Sequence, residues 1–432
     1  MTIQNLLDFL LLREPNVQLV VAGSIILCGM SAIVGCFTFL RKRALIGDAV
    51  SHSVLPGVCL AFILTGEKNP LYFLVGAIGS GMLSLLIMEA LTRSKQTRPD
   101  TAIALMLSVF FGIGIVILTS IQHSGNAAQA GLDKFLFGKA ASITFEDIRL
   151  FTFSSLGILS IVFIFLRGFT TISFDEEYAV SVGFPVRWLR FILSFITVWA
   201  VSVGIQAVGV VLMSALLITP ALAARMWTHS IRVMLFLAML FGILSGYLGA
   251  FVSYTAPAMP TGPWIVVAAT LIAVVSMIFA PQRGMLAQWL ERRKNTNKTL
   301  EENILKLFYQ IEEKTGETNK PILEEDLFNY RAFRKNQLQK GLKLLADKAL
   351  IQYHLSTWKL TESGEIEARR IVRLHRLWEL YLQQYLNLDS DHVHDDAEAM
   401  EHVITPEIEA QLDEILGHPK MDPHNTVIPP RQ

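Results

Sequence analysis

Two side chains that could bind a metal ion lie four residues apart near the start of a long apolar stretch. Asp48 and His52 belong to segment 47–57, and an apolar run over 58–64 follows. Residues four apart share one face of a helix, and oxygen plus imidazole nitrogen suits a divalent first-row metal. An ionisable pair inside a membrane is costly unless it faces a partner, water or cargo. The pair therefore predicts either a metal contact in a transport pathway or a structural hydrogen bond between helices.

A second group of ligand-type residues lies in the last third of the chain. His375 and Glu379 are four apart on a predicted helix over about 361–386. Further imidazole and carboxylate groups share one face of a following predicted helix, and such clusters can hold one or two divalent ions. The alternative is a solvated acidic stripe, because several Asp residues lie nearby. The second set comprises His394, Glu398, Glu401 and His402.

The elements that must position the first pair are membrane-spanning helices. The chain has 432 residues, 52% of them hydrophobic, which is too apolar for an ordinary soluble protein. Its formal net charge is +0, so global charge indicates no partner. About nine apolar runs are long enough to span a bilayer. They fall near 17–40, 45–65, 70–92, 101–121, 147–167, 188–206, 208–227, 232–253 and 263–281.

Basic residues orient these runs. Lys and Arg cluster after runs one, three, seven and nine, which predicts that those loops are cytoplasmic. An odd number of spans then places the N-terminus outside and the C-terminal tail in the cytoplasm, with the protein in the cell (inner) membrane. The cysteines Cys28, Cys36 and Cys59 all lie in apolar runs, so neither a disulfide framework nor a zinc knuckle is indicated.

Segment 174–187 differs from the other cytoplasmic loops. It reads as a short amphipathic helix that Gly183 and Pro185 end. Such a helix could dock on a separate protein, or it could simply connect two spans. The sequence contains no G-x-x-x-x-G-K-[ST] phosphate-binding loop, so this chain is predicted to bind no nucleotide and to be no enzyme itself.

After residue 281 the composition becomes that of a soluble domain. Helices predicted over 300–314, 322–330 and 333–348 precede two short strands near 350–354 and 358–360. This order predicts a winged helix-turn-helix, whose third helix would enter a DNA major groove. The alternative is that the polar residues of that helix form only a solvated face. These weak DNA-binding candidates are Arg334, Lys335, Gln337 and Lys340.

A collinear set of motifs resembles the zinc/manganese/iron ABC transporter permease family. The matching segments are 47–57, 98–103, 136–138, 174–187, 208–220 and 260–263. The resemblance implies a homodimeric or paired pore for divalent metal, with a cytoplasmic ATP-binding subunit and an extracytoplasmic metal-binding protein as partners. It also implies that Asp48 and His52 contact the metal and that segment 174–187 couples to the ATPase. The implied coupling residues are Glu176, Glu177, Ala179, Gly183 and Pro185.

The tail over about 300–430 resembles the iron/manganese-dependent repressor family of the diphtheria-toxin-repressor type. The motifs lie at 373–379, 392–403 and 416–424. The resemblance implies a dimerising metal sensor whose ligands are the six His and Glu residues named above, with Glu398 in the form associated with manganese. Two further ligand positions appear as Asn303 and Lys306, so one of two expected ions should bind poorly.

The predicted fold is an all-α polytopic membrane protein followed by a cytoplasmic winged helix-turn-helix and a helical metal-sensor and dimerisation domain. The predicted domains are a permease over 1–285, a basic junction over 286–298, the winged helix over 299–365 and the sensor over 366–432. The predicted function is import of Mn²⁺, Zn²⁺ or Fe²⁺, with the same ions as sensor ligands. Two alternatives remain: a tail that is tethered or released by proteolysis to regulate transcription, and a secondary transporter that needs no ATPase.

Overall fold

The computed structural model describes residues 8–43, 45–67, 69–93, 97–123, 138, 142–255, 259–317, 320–330, 333–386, 406–424 and 426–430. The chain divides into two compact units, Met1–Gln288 and Trp289–Gln432. We call them the N-terminal and C-terminal units.

The N-terminal unit is built from long apolar helices. Eight helices in its described residues are long and apolar enough to cross a membrane, where the second consists of two consecutive helices. In chain order the helices are α1 Pro15–Leu40, α2 Ile46–Ser53, α3 Leu55–Thr65, α4 Pro70–Arg93, α5 Pro99–His123, α6 Phe145–Ile164, α7 Leu166–Phe174, α8 Glu176–Ser181, α9 Val186–Val208, α10 Val210–Trp227, α11 Ile231–Thr255 and α12 Thr261–Phe279.

The predicted spans agree with these helices, with one difference of length. The run at 208–227 forms α10, but its apolar part among the described residues, Leu212–Trp227, is shorter than the other candidates. Gly209 separates α9 from α10 with a φ of 91° and a ψ of 166°. That backbone conformation is open to glycine and not to residues with a Cβ atom. The ninth span stays a prediction.

The C-terminal unit combines helices with a small antiparallel sheet. Its strands are β1 Ile322–Leu323, β2 Ile351–His354 and β3 Thr357–Leu360, in the order β1-β3-β2. Apolar residues of the helices and strands form one core around Phe308, Leu338 and Ile371. The helices are α13 Met285–Thr315, which begins at the end of the N-terminal unit, α14 Glu324–Tyr330, α15 Lys335–Asp347, α16 Glu362–Leu386 and α17 Pro406–Ile415.

Two expectations for the tail need correction. The helix predicted from residue 322 begins at Glu324, because Ile322 and Leu323 pair with Trp358 and Thr357 as a strand. The predicted two-stranded wing is therefore part of a three-stranded sheet. The first tail helix, predicted over 300–314, begins earlier than predicted, since α13 runs unbroken through the basic junction over 286–298.

Candidate metal pathway and sensor residues

The structure places Asp48 and His52 on one face of α2. His52 Nε2 lies 3.7 Å from Asp48 Oδ1, and the two side chains are 19% and 39% exposed. The imidazole contacts the ring of Phe111 edge-on, with ring centroids 4.9 Å apart. His52 Nδ1 is buried and has no hydrogen-bond partner among the described residues. A carboxylate of a membrane-spanning helix is thus left partly open at the surface of the unit.

Small residues hold α2 and α3 tightly against α4. A Cβ atom added at Gly57 would lie 2.0 Å from the carbonyl oxygen of Gly76, so only glycine permits this approach. Ser80 Oγ donates to the Ser53 carbonyl oxygen at 2.5 Å, and the hydroxyls of Ser53 and Ser84 lie 2.8 Å apart. These contacts explain the small residues in the segment that carries the pair.

Proline interrupts the helix directly after the pair. Pro56 has no N–H, so it cannot donate to the carbonyl of His52, four residues earlier. The hydrogen-bonded helix is accordingly broken at Val54, between α2 and α3. The break separates the end that carries Asp48 and His52 from the apolar continuation, α3.

The pair offers half of a coordination sphere. One carboxylate and one imidazole are good ligands for Mn²⁺ or Zn²⁺, but such ions take four or more ligands. Within the described residues no third His, Cys, Asp or Glu completes a group of three. The exposed fraction of Asp48 is directed out of the unit, where a second chain or water could supply the remaining ligands.

Segment 174–187 contains the predicted short helix, α8. Asp175 caps it, since its carboxylate accepts from the backbone N–H of Tyr178 at 2.9 Å, and Gly183 follows with a φ of 87°. Of the predicted coupling residues, Ala179 is fully buried. Glu176 is bound by Arg41 at 3.1 Å and by Arg190 at 2.8 Å. Nothing in the sequence indicated these two arginines, because they lie far from Glu176 along the chain.

The same loop exposes large apolar side chains on its other side. Glu177 and Pro185 are exposed as well, so they lie on the outer surface with the apolar groups. A cluster of exposed apolar residues on a protein marks an interaction surface or, in a membrane protein, contact with lipid. The apolar group consists of Phe174, Tyr178, Val180 and Val182.

The described part of the predicted sensor is buried on α16. His375 Nε2 lies 3.0 Å from Glu379 Oε1, with the side chains only 5% and 3% exposed. Such an imidazole–carboxylate pair fits a divalent-metal site, because it supplies one nitrogen and one oxygen ligand, and its burial keeps it away from water. Lys306 is also buried, at 2% exposed. The four other predicted ligands, His394, Glu398, Glu401 and His402, lie outside the described residues.

The predicted DNA-binding residues lie on the exposed side of α15 or just before it. Arg334, Lys335, Gln337 and Lys340 are all exposed, whereas Leu338, Gly341, Leu342 and Leu345 face the core. The ammonium of Lys340 donates to Asn297 Oδ1 at 2.6 Å. Exposure permits contact with phosphates, but it equally describes a solvated helix face, so both alternatives remain.

Comparison with known proteins covers both units. Residues 14–280 match the ABC 3 transport family. Residues 361–430 match the iron dependent repressor, metal binding and dimerisation domain. The chain is 39% identical over 387 residues to the manganese transport system membrane protein MntC of Bacillus subtilis (strain 168), covering 89% of this chain and 88% of that protein.

Two more comparisons concern the membrane helices. The chain is 43% identical over 284 residues to the zinc transport system membrane protein TroC of Treponema pallidum (strain Nichols), covering 66% of this chain and 95% of that protein. The structure of PsaBC from Streptococcus pneumoniae in complex with Fab aligns with a TM-score of 0.59 and 31% identity. That alignment covers 67% of this chain and 99% of the other.

Proposed function

The chain belongs to the ABC 3 transport family, and from this membership we propose that it is the permease subunit of a divalent-metal importer. The relatives named for manganese and for zinc make these two ions the proposed cargo. ATP hydrolysis would occur on a separate cytoplasmic subunit, and an extracytoplasmic binding protein would deliver the ion. The chain is a multi-pass membrane protein, and we propose that its C-terminal unit lies in the cytoplasm.

The partly exposed carboxylate of Asp48 carries this proposal. A charged group on a membrane-spanning helix is retained where it meets water, a partner or cargo. His52 could bind the same ion, because its Nε2 lies 3.7 Å from Asp48 Oδ1. A second copy of the chain that faces the first would contribute another carboxylate and another imidazole. Together the two copies would supply four ligands, of which one chain has only two.

Transport in reconstituted vesicles tests the pathway. We expect Asp48→Asn or His52→Gln to abolish ATP-driven Mn²⁺ uptake while the amount of protein in the membrane is unchanged. His123→Gln serves as the matched control, because this histidine is exposed at the end of α5. Normal uptake by both pathway variants would remove the assignment. Uptake at the same rate with and without ATP would favour a secondary transporter.

For the C-terminal unit we propose metal sensing that regulates transport. The buried pair of His375 and Glu379 supports this, together with the match to a metal-binding repressor domain. A sensor changes transport only if metal binds two states of the protein with different affinity. Regulation of transcription through α15 is the second candidate, and the match of the tail to a repressor domain supports it.

The two candidates differ in what metal on the ATPase side does to transport. If the tail gates the permease, Mn²⁺ on that side slows uptake by the wild type but not by Glu379→Ala. His354→Ala, changed at an exposed position on β2, should behave as the wild type. If Mn²⁺ on the ATPase side left the uptake rate of all three proteins unchanged, gating would be excluded. Binding of the full-length protein to its promoter DNA only with Mn²⁺ would then support the second candidate.

A further inference from the structure

Glu176 connects three helices through its two carboxylate oxygens. Arg41 Nη2 donates to Oε1 and Arg190 Nη2 donates to Oε2. The Arg41 side chain is 8% exposed and that of Arg190 is 24% exposed. Burial, and then the charge of Arg43, lowers the pKa of Arg41 to about 10, so the guanidinium remains charged at neutral pH. Charge-assisted bonds of this kind are stronger than neutral ones.

Arg41 is joined directly to the helix of the metal pathway. It follows the last residue of α1, and its backbone N–H donates to the Phe37 carbonyl. The turn after it is closed by two further bonds, from Arg43 N–H to Thr38 at 3.1 Å and from Ile46 N–H to Arg43 at 3.1 Å. Helix α2, with Asp48 and His52, therefore begins five residues after Arg41, across a turn with internal hydrogen bonds.

Arg190 reaches the same helix by packing. It lies one turn into α9, whose residue Val198 faces α2 and α4. A Cβ atom placed at Gly81 would be 2.7 Å from Val198 Cγ1 and 3.6 Å from Val50 Cγ1, so these residues meet at one point. Close-packed interiors transmit displacement because they have little free space. Both partners of Glu176 are therefore joined to the pathway helix, Arg41 through the chain and Arg190 through the packing of α9.

Glu176 does not share the outward face of α8. Ala179, one turn along the helix, is fully buried, whereas Tyr178 and Val180 are 59% and 63% exposed. The exposed apolar side chains of segment 174–187 form the docking surface, the face that would contact the ATPase subunit. The carboxylate lies on the opposite side, against the ends of α1 and α9.

We propose that Glu176 is a positioning residue that transmits movement of α8 to the metal-pathway helix through Arg41 and Arg190. The inference rests on the proposed function, since it assumes that an ATP-hydrolysing subunit moves α8. A carboxylate held by one guanidinium would link α8 to one element, whereas two guanidiniums link it to the end of α1, which precedes α2 in the chain, and to α9, which packs against α2. Breaking these bonds should uncouple hydrolysis from transport and leave the docking surface intact.

The test measures transport and hydrolysis in the same vesicles. Full-length chain and ATPase subunit are reconstituted together, and Mn²⁺ uptake is divided by ATP hydrolysed. Glu176→Gln keeps the shape of the side chain and removes its charge. We expect Mn²⁺ moved per ATP to fall about tenfold, the factor that corresponds to one lost hydrogen bond between charged groups. ATPase co-purification and the hydrolysis rate should stay unchanged.

Arg41→Gln should reproduce this loss, and Glu176→Asp, which keeps the charge, should recover part of the ratio. Lys42→Gln is the matched control, because it removes a neighbouring cation that is exposed. A wild-type ratio in Glu176→Gln would overturn the inference. Loss of the ATPase subunit from Glu176→Gln would also overturn it, since the residue would then be a docking contact. A wild-type chain that retains no ATPase subunit would instead overturn the proposed function, and this inference with it.

Discussion

Replacement of Arg373 by Met should destabilise the C-terminal unit severely. The guanidinium donates to the Pro429 carbonyl at 2.6 Å and to Asp413 Oδ1 at 2.7 Å, and its Nε lies 3.5 Å from Glu409 Oε1. All three charged side chains are less than 10% exposed. Removing the cation takes away the partner that two buried carboxylates share, and among the described residues leaves only Arg370 at 3.9 Å from Glu409 and His418 at 2.9 Å from Asp413. Breaking a buried ion pair in this way costs about 3–5 kcal/mol. For a unit of this size the cost corresponds to a fall in Tm of about 10–15 °C.

Pulse proteolysis of the full-length protein, detected at a C-terminal tag, measures this loss without interference from the membrane helices. Arg369→Met is the control, because its side chain is 38% exposed and binds Glu365 on the surface. Exposed pairs contribute about 0–1 kcal/mol. A triple variant with Glu409→Leu and Asp413→Leu besides Arg373→Met should regain most of the lost stability. If the denaturant midpoint of Arg373→Met alone equalled that of the wild type within error, the reasoning would be refuted.

Two further predictions concern packing and ligand number. Gly57→Ala should reduce Mn²⁺ uptake and lower the stability of the protein by about 1–3 kcal/mol, because the added methyl group overpacks against Gly76. Gly79→Ala, whose added Cβ meets no atom within 4 Å, should change neither uptake nor stability. Thermal aggregation measures stability and vesicle uptake measures transport, and equal behaviour of the two variants would contradict the close approach. Lys306→Glu should raise the Mn²⁺ affinity of the tail about tenfold or more, because a carboxylate replaces a buried cation at an expected ligand position. Lys343→Glu, at an exposed position, should leave the affinity unchanged. An unchanged affinity of the Lys306→Glu variant in equilibrium binding would show that Lys306 lies away from the site.

The helices of the N-terminal unit were predictable because each span needs about 20 apolar residues and few other elements have that length. The predicted run at 70–92 corresponds to α4 almost to the residue. Helix α8 was predictable for another reason, since Gly183, with a φ of 87°, and Pro185, which lacks an N–H, both favour the end of a helix. Features that depend only on neighbouring residues can be predicted from the sequence, and the structure agrees with these predictions.

The strand at Ile322–Leu323 was missed because its cause is not local. Two residues cannot show a period of two, and a strand of this length exists only through its pairing with Thr357 and Trp358. The junction over 286–298, which is polar and basic, was not predicted to be helical. It is helical because Lys, Arg, Glu and Leu all have high helix propensity, whatever their polarity.

The site residues divide in the same way. Spacing alone placed Asp48 and His52 on one face and His375 beside Glu379, because a helix fixes the positions of residues four apart. Spacing could not place Arg41 and Arg190 at the carboxylate of Glu176, since that contact joins residues from three helices.

Asp48 and Glu176, two of the acidic residues of the N-terminal unit, differ in their contacts although their side chains are equally exposed. Asp48, on a membrane-spanning helix, keeps 39% of its side chain exposed, which suits a group that must meet an ion and release it. Glu176 shows the same exposed fraction, but guanidinium groups bind both of its oxygens. This arrangement suits a residue whose contacts must persist. An ion pathway needs a ligand free to exchange, and a mechanical link needs one that is saturated. The contacts of each carboxylate, more than its exposure, therefore distinguish the proposed ligand of the transported ion from the proposed link to α8.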